Sequence, residues 1–267
     1  MSSIATDSGR VVTDAGAELY YELTGAGPPV VLVAGLGDDI ASWEIVERLA
    51  EDHLVIAFDN RGVGASSTPP GPYSIEDMAD DAHALVRHLD LGQVAAVGFS
   101  MGGAICQRWA TRHPHDIARL VLTNTWGGPD PYFDALMAHW SSLAERGDGG
   151  GLLTSIALFC FSPAYLSGRP EVLEELLSME PPRLEGFIAA AAACLGHDAL
   201  DVNADIAQPA LVIAGERDAV TPPELTAQLA ARLPNAELRS LDAGHASFVE
   251  CADEWLELVR GFLDRDS

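Results

Sequence analysis

The chain has 267 residues and is 48% hydrophobic, enough for one large domain or for a core with an insertion. Its formal net charge of −25 argues against nucleic acid and anionic membrane surfaces as partners. The fifteen Lys-plus-Arg positions are all arginine, which excludes a Schiff-base lysine, a pyridoxal phosphate linkage and a Walker-type phosphate lysine.

The opening MSSIATDSGR is polar, without the apolar stretch of a signal peptide. GRVVTDAGAELYYELTG then reads as a β-hairpin, and PPVVLVAGLG as a buried strand running into a glycine loop. SWEIVERLAE has the spacing of an amphipathic helix. LVIAFDNRG is a strand ending in a polar turn, where Asp59 and Arg61 read as turn-fixing residues. SIEDMADDAHALVRHLDL is a helix with Ser74 as N-cap and Asp77 three residues on. QVAAVGFS, a helix ending near Pro114, and IARLVLTNT continue the alternation. Strand followed by helix, repeated, predicts an α/β fold: a mainly parallel sheet with helices on both faces.

The alternation stops at Trp126. Residues 126–208 offer helical stretches and a GDGGG linker but no convincing strand. The expected organisation is therefore a core of residues 1–125 and 209–267, interrupted by a helical insertion too long for an ordinary loop. Placed above the carboxyl ends of the strands, such an insertion covers the region where ligands bind in open α/β sheets. Strands return with PALVIAGERD and AELRSLDAGH. Between them TPPE offers Thr221 as a helix N-cap, and DEWLELVRGFLDR is the closing helix. The longest apolar run, FIAAAAACL, is too short to cross a membrane. Cys106, Cys160, Cys194 and Cys251 have no metal or C-x-x-C spacing and read as reduced thiols in a cytoplasmic protein.

GFSMG, with Ser100 at its centre, has the G-x-S-x-G pattern between a strand and a helix. A sharp turn there forces the serine into strained backbone angles and lifts its hydroxyl clear of the sheet. The following helix points its first amides at the same place. A serine hydroxyl is a weak nucleophile and needs a base oriented by a third group. Of eight histidines, His245 in LDAGHASF ends the last strand at the sheet edge that also carries Ser100. Asp218 in AGERDAVTPP follows another strand end and is the orienting acid, with Glu216 as its rival. The backbone N–H groups of Met101 and of Leu36, in the glycine loop AGLGDD, are placed as oxyanion donors. Trp126, Phe159 and Phe161 are the candidate substrate-binding residues. No metal site and no cofactor is expected.

Taken together, VLVAGLG, FDNRGVGAS, GFSMGG, GERDAVTPP and AGHASFVE resemble the α/β-hydrolase superfamily, in its order and over nearly the whole chain. The resemblance is strongest to the capped branch with 3-oxoadipate enol-lactonases, carboxylesterases and cofactor-free haloperoxidases. It implies cofactor-free hydrolysis of a small-molecule ester or lactone. The alternatives are C–C bond hydrolysis or perhydrolysis on the same triad, or a receptor-like binding protein with slow hydrolysis. Many relatives have His-Gly where this chain has Ala34-Gly35. Haloalkane dehalogenases and epoxide hydrolases carry aspartate at the nucleophile position, and serine here argues against both. Self-association into a homo-oligomer is left open. The insertion holds twelve carboxylates and three arginines (Arg146, Arg169, Arg183), so a neutral substrate is expected over an anion.

Overall fold

The computed structural model describes residues 6–265; residues 1–5, the start of the polar opening, and residues 266–267 lie outside it. Its elements, in chain order, begin with strands β1 (Thr6–Val12), β2 (Glu18–Gly25) and β3 (Pro29–Val33), then helix α1 (Val46–Leu49), β4 (Leu54–Phe58), α2 (Ile75–His88), β5 (Val94–Phe99), α3 (Met101–Arg112) and β6 (Ile117–Thr123). Five helices follow without a strand: α4 (Pro131–Glu145), α5 (Gly149–Cys160), α6 (Pro163–Gly168), α7 (Pro170–Ser178) and α8 (Leu184–Leu195). The chain closes with β7 (Ala210–Gly215), α9 (Pro223–Ala230), β8 (Ala236–Leu241), α10 (Ser247–Glu250) and α11 (Ala252–Leu263).

The eight strands form one sheet in the order β1-β2-β4-β3-β5-β6-β7-β8. The β1–β2 and β2–β4 pairs are antiparallel and the other five pairs are parallel. Continuous apolar sequence explains the central strands: Val30 to Val33, Val55 to Phe58 and Ala210 to Gly215 are buried on both faces, as parallel strands between helices must be. One face packs on α2 and α3 through residues such as Met78, Leu85, Ile105 and Trp109; the other packs on α11 through Trp255, Val259 and Phe262. Among the described residues no helix is long and apolar enough to cross a membrane.

Side-chain caps start four of the helices: Ser74 for α2, Asp130 for α4, Asp148 for α5 and Ser162 for α6. Ser74 and Asp77 form the reciprocal capping box at the start of α2. Three expectations are corrected. SWEIVERLAE is not one helix: Asp39 caps a short 3-10 turn over Ile40–Ser42, the Ile40 amide donates to Asp59 across the molecule, and only the four residues of α1 are α-helical. GDGGG is not a linker, because Asp148 accepts from the Gly151 amide and α5 starts within it. Thr221 does not cap α9; its hydroxyl is used elsewhere, and α9 begins after Pro222 with no side-chain cap.

Asp59 holds the turn after β4 by accepting from the Ile40 and Ala65 amides, and Arg61 makes a two-pronged bond to buried Asp81 at 2.6 and 2.7 Å. On that turn the insertion rests. Gly186 of α8 lies so close to Gly62 that a Cβ on either would meet the other's backbone within 3 Å. Arg183 donates to the carbonyls of Gly64 and Ser66. The opposite end of the insertion is fixed to the loop after β8: Glu250 accepts from the Ser162 amide and hydroxyl, both at 2.6 Å, and from the Gly244 amide at 3.1 Å.

The tightest approach in the core is made by glycines. A Cβ on Gly102 would lie 1.8 Å from the Val33 carbonyl oxygen, and one on Gly98 would lie 2.4 Å from that of Gly102. Helix α3 can sit against β3 and β5 only without side chains at these points. Gly102→Ala is therefore expected to cost at least about 3 kcal/mol of stability, read as a lowered midpoint in thermal unfolding.

Candidate active site

Ser100 stands between β5 and α3 with φ 53° and ψ −119°, the left-handed side of backbone space that a non-glycine residue seldom occupies. Its backbone is held in that posture: its amide donates to the Thr123 carbonyl at 3.0 Å and its carbonyl accepts from the Thr125 hydroxyl at 2.8 Å. Its Oγ lies 2.9 Å from Nε2 of His245, whose Nδ1 lies 2.8 Å from Oδ2 of Asp218. All three residues are buried. Because a carboxylate only accepts, Nδ1 carries the proton and Nε2 turns a lone pair toward the serine hydroxyl. This arrangement can withdraw the Ser100 proton and return it to another group.

Asp218 is fixed by five bonds. Oδ1 accepts from the amides of Val220 and Thr221 at 2.8 and 2.9 Å, and Oδ2 accepts from Asn124 Nδ2, the Thr221 hydroxyl and His245 at 2.8, 2.9 and 2.8 Å. Its rival Glu216 is exposed and contributes only backbone here. Asn124, with φ 47°, also accepts from the Ser247 hydroxyl, so three loops at the carboxyl edge of the sheet meet on one side chain. Sequence reasoning missed Asn124, Thr221 and Ser247. The available signal was TNT directly after β6, since asparagine is among the few residues that tolerate a left-handed turn.

The Met101 amide opens α3 beside Ser100, and Leu36 follows β3 on the glycine loop. Among the described residues neither amide has a hydrogen-bond acceptor, so both are free to donate to an oxyanion. Of the three aromatic candidates, Trp126 is fully buried, while Phe159 and Phe161 are half-buried. Trp126 is 1% exposed, tilted against Phe133 with ring centroids 4.2 Å apart and edge-on to His197, which gives it to the core. Phe159 packs edge-on to Trp140, and Phe161 stacks on Tyr165 along a groove of about 390 Å³ that also includes Leu158, Pro163, Leu166 and Leu173. The ring against His245 is that of Phe99, 4.9 Å away between centroids.

Two ionisable groups near the triad were not singled out in the sequence. Cys160, at the end of α5, is a free thiol that burial holds well above its usual range, with the Asp38 and Asp218 charges adding to the effect. Asp38 sits on the glycine loop and is half-buried. Loss of hydration raises its carboxyl to about 6, against the opposing pull of His245 and with a small push from Asp39. Among the described residues, no cluster of three or more His, Cys, Asp or Glu side chains is placed to hold a metal ion.

A strained serine on a strand-to-helix turn, with acid and histidine on later loops of the same sheet edge, is the arrangement of α/β hydrolases. The chain belongs to the alpha/beta hydrolase fold family, whose model matches residues 28–252, and it is a hydrolase. It is 30% identical to 3-oxoadipate enol-lactonase 2 of Acinetobacter baylyi over 89% of each chain. It is 29% identical to RutD of Azorhizobium caulinodans, which bears the name of a carbamate hydrolase, over 92% of this chain and 95% of that one. A thermophilic esterase from Thermogutta terrifontis, solved with malate bound, superposes with a TM-score of 0.88 at 30% identity, covering 96% of this chain and 98% of the other.

The Asp38 value carries a consequence for stability. Its folded-state value, about 6, lies above the ordinary 3.8, so ionising this carboxyl opposes folding. The penalty is present above pH 6, shrinks as pH falls through 6, and is gone below the unfolded-state value. Asp38→Asn is therefore expected to stabilise the protein at pH 7.5, by up to about 2 kcal/mol, with the gain fading toward pH 4.5. Thermal unfolding of both proteins across that range checks it.

Proposed function

We propose that this hydrolase cleaves carboxylic esters or lactones through an acyl-enzyme on Ser100. The observation that carries the reading is the unbroken chain from Ser100 Oγ to His245 at 2.9 Å and from His245 to Asp218 at 2.8 Å, built on a strained turn. His245 Nε2 takes the hydroxyl proton as Oγ attacks the carbonyl carbon. The charge that develops on the carbonyl oxygen is met by the Leu36 and Met101 amides. Collapse of the tetrahedral adduct breaks the bond to the leaving alcohol, which receives the proton from His245. Water, deprotonated by His245, then attacks the acyl group, and Ser100 leaves with its proton restored. Asp218 keeps the proton on Nδ1 and balances the imidazolium.

Ser100→Ala and His245→Ala are each expected to remove nearly all turnover of p-nitrophenyl esters and simple lactones while leaving thermal unfolding intact. Asp218→Asn lowers kcat by about 10⁴, because the imidazole loses its oriented tautomer, and Glu216→Gln leaves it within twofold. A serine-directed phosphonate attaches to Ser100 alone; label on another residue refutes the assignment.

An anionic substrate is disfavoured relative to a neutral one. Of the arginines that could receive a carboxylate, Arg183 is committed to the carbonyls of Gly64 and Ser66 and to Thr68, and Arg169 lies over the Tyr165 ring at 4.4 Å. A neutral lactone is expected to exceed its carboxylate-bearing analogue in kcat/KM by at least about tenfold at low salt, with the gap narrowing at high salt. A higher kcat/KM for the anion, abolished by Arg169→Ala or Arg183→Ala, overturns the charge argument.

A further inference from the structure

Asp38, half-buried beside the site, differs from the buried carboxylates. Asp218, Asp59 and Asp81 are each held by several donors, whereas among the described residues no hydrogen-bond donor reaches the Asp38 side chain. The carboxylate is packed against the glycine loop: a Cβ on Gly35 would lie 2.6 Å from Asp38 Oδ2 and 3.2 Å from the Phe99 ring, which also packs against His245 and Phe248. It lies two residues beyond Leu36. The groups that face it are Asp39 on its own loop, His245 from the loop after β8 and Cys160 from the end of α5. None of these is a permanent cation. The chain has no lysine, and Arg183 and Arg169 are engaged elsewhere.

We infer that Asp38 is a specificity-determining residue, and that its unpartnered carboxylate receives the ammonium group of an amine-bearing ester or lactone whose carbonyl lies against Ser100. The inference rests on the proposed acyl-transfer reading. Its physical basis is that a half-buried carboxylate to which no described residue donates, beside the loop of Gly35 and Leu36, is open to pair with a ligand cation. A hydroxyl would supply one hydrogen bond and leave the charge uncompensated. An ammonium supplies both the bond and the counter-charge, and the surrounding acidic insertion attracts it from solution. The short span from Asp38 to Leu36 sets the ammonium a few bonds from the scissile carbonyl.

The test uses an aminoalkyl ester and its isosteric alkyl ester, with binding measured by calorimetry at pH 7.5 on the Ser100→Ala protein, which cannot turn them over. The ammonium ester is expected to bind at least about tenfold more tightly than the neutral one, and the preference to disappear when Asp38→Asn is added. Glu174→Gln, an exposed change of the same charge on α7, is expected to leave it within twofold, and Asp38→Glu to restore part of it. Equal binding of the two esters, or a preference that survives Asp38→Asn, overturns the inference. Turnover of the neutral ester by the unmodified enzyme is measured separately. Its absence sinks the acyl-transfer reading, while the binding ratio still decides whether Asp38 selects a cation.

Discussion

The close approach of α3 to β3 and β5 is the constraint on which the site depends. Backbone atoms come within a distance that excludes even a methyl group at Gly98 and Gly102, so the chain must reverse within a single residue between them. That residue is Ser100, and its left-handed backbone is the consequence. The strain is carried by bonds to Thr123 and Thr125, both on or just past the neighbouring strand β6. Order in the sheet, tight helix packing and an outward-facing hydroxyl are thus one feature seen at three scales.

The acid and base arrive from β7 and β8 on loops with no such steric compulsion, and hydrogen bonding takes over. Asp218 is saturated by amides, a threonine hydroxyl, Asn124 and His245. A carboxylate so fully bonded keeps its charge and position in a buried setting, which is what a partner for an imidazolium requires. Asp38 shows the opposite condition a short distance away. Asp218 is buried and saturated with donors, whereas Asp38 is half-buried and receives none from the described residues.

Much of this was legible in the sequence because it is written locally. Continuous apolar runs marked the central strands, Ser74 with Asp77 marked a helix start, and the glycines around Ser100 betrayed the elbow. Asp218 and His245 were found because strand ends on one sheet edge must lie together. What stayed hidden was set by contacts between distant segments. Thr221 has the look of a helix cap, but a buried carboxylate competes for its hydroxyl and wins. SWEIVERLAE has helical spacing, but the bond from Ile40 to Asp59 pins its start and shortens the helix. Aromatic residues in the insertion carry no mark distinguishing a packed ring from one that meets a ligand, and Trp126 went to packing. Asp38 was invisible because one of two adjacent aspartates in a glycine loop reads as a solvated turn residue until its neighbours in the fold are seen.

Glu250 grips Ser162 of the insertion and Gly244 beside His245 with the same two oxygens, while the Ala246 amide donates to the Cys160 carbonyl. The α5–α6 junction and the loop that carries His245 are therefore spliced at one carboxylate. An α5–α6 junction transplanted from a relative would arrive without its socket unless Glu250 or an equivalent came with it. Diversification of the roof in this lineage is then a matter of compensated pairs, with one half lying after β8, well outside the segment being exchanged.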